Sequence, residues 1–91
     1  MLEKVKLALR IKTKAFDREM EDLIAAALAD LELAGVTMPD KGQEDPLIVR
    51  AVVTYCKMHF GEPEDPERLK LSYDEQKAQL KTATGYTNWG E

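Results

Sequence analysis

Cysteine, histidine and aromatic residues are scarce in this chain of 91 residues, and each scarcity removes a class of function. The one cysteine, Cys56, excludes an intramolecular disulfide and suits a reducing compartment. The one histidine, His59, leaves no Cys/His set for zinc, which takes four ligands in a structural site and three plus an open position in a catalytic one. Cys56 and His59 stand at i and i+3 on a predicted helix, close enough to share a face, but acidic residues would have to complete any metal set. A nucleophile–base pair from the same two residues lacks a third orienting group and an oxyanion donor. The plainer role of Cys56 is that of a small apolar core residue. Neither a metal nor a cofactor is expected.

Long apolar runs are also missing. No segment approaches the ~18 residues that cross a bilayer, and Met1-Leu2-Glu3-Lys4-Val5-Lys6 alternates charged and apolar residues instead of forming a signal peptide. No membrane association is expected. Glycine-rich phosphate loops and EF-hand spacings are absent from the sequence. The adjacent carboxylates Glu21 with Asp22 and Asp74 with Glu75 fall on predicted solvent faces, whereas acid–base chemistry needs carboxyls held in a pocket with their pKa values driven apart. No catalytic residue is assigned and an enzyme is not expected.

What the chain does contain is helix. With 44% hydrophobic and 33% charged residues it is globular rather than disordered. At this length a little over ~60% of the unfolded surface can be buried, so the core is thin. The spacing predicts a compact all-α bundle of about four helices over residues 1–81 and a short irregular tail over 82–91.

Helix 1 is predicted from Leu2 to Ile11, with Leu2, Val5 and Leu9 on one stripe and Leu7 and Ile11 on the opposite side. Helix 2 begins at an Asp17 N-cap with Glu19, Glu21 and Asp22 at the positive end of its dipole. Met20, Leu23, Ile24, Ala27, Leu31 and Ala34 form its apolar stripe, and Gly35 stops it. Val36 to Glu44 is a loop holding Pro39 and Gly42. Asp45 caps helix 3, with Pro46 in the first turn. From Leu47 to Phe60 that helix is apolar almost all round, as a central helix must be. Gly61 ends it. Asp65-Pro66 opens helix 4, whose stripe is Leu69, Tyr73, Gln76 and Leu80, with Glu75 and Lys77 outward. In the tail, Tyr86 and Trp89 have two readings: partner contacts, for which Tyr and Trp are favoured, or lids over a thin core.

Charge is unevenly spread although the net value is only -4. Lys4, Lys6, Arg10, Lys12 and Lys14 against Glu3 give residues 1–15 a sum of +4. Residues 16–34 sum to -5 and residues 61–68 to -3. Such segregation suits head-to-tail contact between copies, although charge runs commonly do no more than solvate a surface. Specific DNA binding is not expected: the pI is near 5.0 and neither helix 2 nor helix 3 has a basic face.

The order of these signals resembles a known family. Leu9-Arg10-Ile11, a short connection and then Asp17-Arg18-Glu19-Met20-Glu21-Asp22-Leu23-Ile24-Ala25-Ala26-Ala27 resemble the opening of phage and prophage head–tail connector proteins, small helical adaptors also called DNA-packaging proteins. The block from Asp45-Pro46-Leu47 through Tyr55-Cys56 to Phe60-Gly61 is similar to that family's central helix, and Ser72-Tyr73 with Leu80 to its last one. The resemblance spans roughly residues 2–81. It implies a non-enzymatic structural protein of virion assembly, made in the bacterial host cytoplasm and placed at the head–tail junction. There an oligomeric ring of copies would sit beneath the portal protein and dock a downstream tail or stopper protein. DNA would pass through its lumen without sequence-specific binding. Leu7, Ile11, Tyr86 and Trp89 are the expected subunit or partner contacts. The alternative is a small helical regulatory module that binds one protein partner.

Overall fold

The two Asp-Pro pairs do what their chemistry requires. The computed structural model describes residues 1–36 and 45–82, of residue 82 only the backbone. Four helices follow in chain order, α1 (Leu2–Leu9), α2 (Asp17–Leu33), α3 (Pro46–His59) and α4 (Pro66–Thr82), with no strand among the described residues. Asp45 accepts from the backbone N–H of Leu47 at 2.8 Å and of Ile48 at 3.4 Å, satisfying two donors that the first turn of α3 leaves open. Asp65 accepts from the Arg68 N–H at 3.1 Å at the start of α4. Proline after each aspartate costs nothing, because a first-turn N–H has no helical acceptor.

Helix α3 is the centre of the bundle and packs against α1, α2 and α4. Ile48, Ala51, Val52 and Cys56 are buried in it, and Val53, Tyr55 and Met58 pack around them. Helix α2 brings Met20, Ile24, Ala27 and Leu31, which are the heart of its predicted stripe, with Leu23 partly covered. It ends as Gly35 requires: at φ +100° the chain reverses, the Gly35 N–H bonds Glu32 O and the Val36 N–H bonds Leu31 O, each at 3.0 Å. Helix α4 is the most polar of the four and buries only Tyr73 and Leu80 outright. Each of these two side chains contributes about 1.5–3 kcal/mol by its burial.

Three expectations are corrected. Helix α1 stops at Leu9 rather than Ile11, because Arg10 takes the left-handed conformation (φ 60°, ψ 37°). The Arg10 N–H then bonds Leu7 O at 3.1 Å and the Ile11 N–H bonds Lys6 O at 2.9 Å, the same reversal that ends α2 but built without glycine. It turns Ile11 back against the core, so Leu7 and Ile11 do not share a helix face. Second, Asp17 is not an N-cap. Phe16 holds that position with no side-chain cap, and Asp17 lies inside the helix, where it accepts from Lys6 Nζ at 2.6 Å. Lys6 is buried, so its ammonium needs this partner more than the helix end needs a cap. Third, Lys77 is not turned outward. It reaches Asp30 at 3.2 Å and lies over the Tyr73 ring.

Candidate functional site

The side chains best suited to chemistry are not gathered into a catalytic group. Cys56 is fully buried among apolar neighbours of α3, and that burial pushes its thiol up to about 11, far from the thiolate a nucleophile needs. His59 is exposed on the next turn, its ring 4.4 Å from that of Tyr55. Helical spacing therefore brings the two close in sequence register while burial separates them. Glu21, Asp22, Asp74 and Glu75 are all exposed. Among the described residues no three His, Cys, Asp or Glu side chains converge as a metal site would require.

One polar cluster does form. The Tyr73 hydroxyl donates to Asp30 Oδ2 at 2.5 Å, and Lys77 Nζ donates to the same oxygen. The Tyr73 bond is the main reason that the Asp30 carboxyl sits below its usual range, and the lysine adds to it. Burial, then the neighbouring carboxylate, drives the Tyr73 hydroxyl upward, so it stays a protonated donor. The partners lie 43 and 47 residues apart and join α2 to α4, two helices that otherwise meet mainly through α3. Sequence reasoning missed this cluster: Asp30 was one acid among six in a charged segment. A groove of about 540 Å3 lies over it, lined by Asp30, Tyr55, Met58, Glu67 and Tyr73 among others. The shared Asp30 Oδ2 fastens α2 to α4 through two donors of α4.

The surface is more informative than the interior. Leu7 is 80% exposed and Leu33 88%, and Leu47, Leu71 and Phe16 also stand out from the bundle. A second groove, of about 610 Å3, runs where the end of α1 meets the end of α3 and is floored by Leu9, Phe60, Pro63 and Leu69. Of the expected contact residues, Leu7 projects into solvent and Ile11 is partly buried against the core. Tyr86 and Trp89 lie outside the described residues. Leu33 went unnoticed because it falls off the Met20–Leu31 stripe, and a leucine off the stripe near a helix end was the signal available.

The described residues thus form a small all-helical bundle with several large apolar side chains turned outward. The chain is a member of the phage connector protein family, whose model matches residues 1–87. No curated protein and no solved structure is similar enough to the chain to count as a match. The family match runs past the end of α4 at Thr82 and takes in residue 86 of the tail. Its members are structural components, which places this protein's work among other phage structural proteins.

Proposed function

We propose that the protein is a head–tail connector whose copies close into a ring beneath the portal of a tailed phage or prophage. The ring extends the DNA channel and gives tail or stopper proteins a surface to dock on. The observation that carries this reading is the family match over residues 1–87 on a bundle whose large leucines, Leu7 and Leu33 foremost, face solvent. In a connector these solvent-facing leucines are available for burial against another subunit, as apolar anchors of an interface. In this reading Leu7 meets a neighbouring copy and Ile11 supports it from the core side. Tyr86 and Trp89 offer aromatic contacts to a partner. The net charge of -4 suits a lumen along which DNA slides, since phosphate binding requires a cationic surface. No catalytic step belongs to this role. The protein would be made in the host cytoplasm and reside at the head–tail junction.

Native mass spectrometry and electron microscopy of the full chain test the proposal, alone and mixed with the portal encoded in the same genome. A closed multimer is the expected result. Monomer or dimer under both conditions would sink the ring and favour a one-partner regulatory module. Tight, salt-sensitive DNA binding by the assembled ring would exclude the sliding lumen.

A further inference from the structure

Among the described residues the most exposed large apolar side chains are Leu7, near the end of α1, and Leu33, the last residue of α2, and the charges beside them in the chain are opposite in sign. Around Leu7, the exposed cations Lys4, Arg10, Lys12 and Lys14 outnumber Glu3. Around Leu33 the last turn of α2 carries no basic residue, and Asp30 and Glu32 lie within it or beside it. That is the negative end of the helix dipole, where acidic groups are unfavourable and cations are favoured. Lys77 covers Asp30 from within the chain, while Glu32 is exposed.

Position decides whether these patches can meet in one molecule. The Lys6–Asp17 ion pair sets α1 beside the first residue of α2. Leu33 is the last residue of that helix, roughly 24 Å further on at 1.5 Å per residue. We propose that copies join head to tail, with Leu7 of one packing on Leu33 of the next and the basic α1 region falling against Glu32 and the negative end of α2. Ala29, exposed one turn before Leu33, leaves room for α1 to approach closely. Two different patches on one chain make a heterologous contact, which repeats from copy to copy until it closes. This contact rests on the assembly reading above and specifies its interface.

Disulfide trapping in the full chain tests it. Both positions are exposed, so Leu7→Cys and Leu33→Cys should leave helicity by circular dichroism unchanged. The native Cys56 is buried and stays out of the reaction. A disulfide needs Cα atoms within about 7 Å, so the double variant cannot close within one chain. On mild oxidation the double variant should give a ladder of covalent dimers, trimers and higher species. Each single variant should give no covalent dimer, and an equal mixture of the two should give covalent dimer only. Adding Glu32→Lys to the double variant should raise the protein concentration needed for half-maximal trapping about tenfold. Dimers from either single variant, or no ladder from an assembled double variant, overturn this contact and leave the ring standing. A wild-type chain that stays monomeric both alone and with the portal, together with no ladder, overturns both.

Discussion

The clamp between Asp30 and Tyr73 allows the sharpest test of how α4 is held. Tyr73→Phe keeps the buried ring and removes only the hydroxyl that donates to Asp30 at 2.5 Å. A hydrogen bond to a charged group contributes about 1.5–3 kcal/mol. Here the lower part of that range applies, because the Asp30 side chain is 39% exposed and keeps Lys77 as a second donor. The expected loss is about 1–2 kcal/mol, a fall in Tm of roughly 4–8 °C for each kcal/mol in a domain of this size. Asp30→Ala should cost at least as much, since it leaves the Tyr73 hydroxyl, in a residue only 3% exposed, without its acceptor. The double variant should then lose less than the two single losses added together.

The same bond has a pH signature. The Asp30 carboxyl is held below the ordinary aspartate value of 3.8 in the folded protein, first by the Tyr73 hydroxyl and also by Lys77. The unfolded chain therefore takes up the proton first as pH falls. The stabilisation is complete above pH 3.8 and is lost as pH drops through the lower folded value. Urea titrations of wild type and Tyr73→Phe over this acidic range should converge, because the variant has less of this stability to lose. A variant within about 0.5 kcal/mol of wild type at neutral pH, with an unchanged acid slope, would refute the clamp.

Three further outcomes follow from local geometry. Arg10→Gly should stabilise the chain by about 0.5–1 kcal/mol in urea unfolding, because a left-handed residue with a Cβ is strained by about 1–2 kcal/mol and the greater freedom of unfolded glycine cancels part of the gain. Arg10→Val should do the reverse. Asp45→Ala should cost about 1 kcal/mol through loss of the cap on Leu47 and Ile48, while Asp45→Asn should be nearly neutral. Cys56, with its thiol raised to about 11 and buried, should react with a thiol reagent far more slowly than in the urea-unfolded chain; equal rates would show that the core of α3 is open.

Much of the bundle follows from local chemistry in the sequence. Asp45-Pro46 and Asp65-Pro66 fix the starts of α3 and α4, Gly35 marks the end of α2, and the Met20–Leu31 spacing names the face it buries. These are short-range effects: a carboxylate within reach of first-turn N–H groups, a residue free to take positive φ, and a period of 3.6. The family pattern is carried by the same local features. What the tertiary structure decided lies where two local preferences competed or where partners were distant. Arg10, which nothing in its residue type marks as a stop, ends α1 because the reversal carries Ile11 to the core. Asp17 gives up capping because a buried Lys6 needs its charge. Asp30 becomes distinct from the other acids of α2 only when α4 places Tyr73 and Lys77 beside it, 43 and 47 residues away in the chain. Leu7 and Leu33 likewise become notable once the bundle has covered other leucines and left these two, one on α1 and one at the end of α2, in solvent, because which apolar residues remain uncovered depends on how all four helices pack.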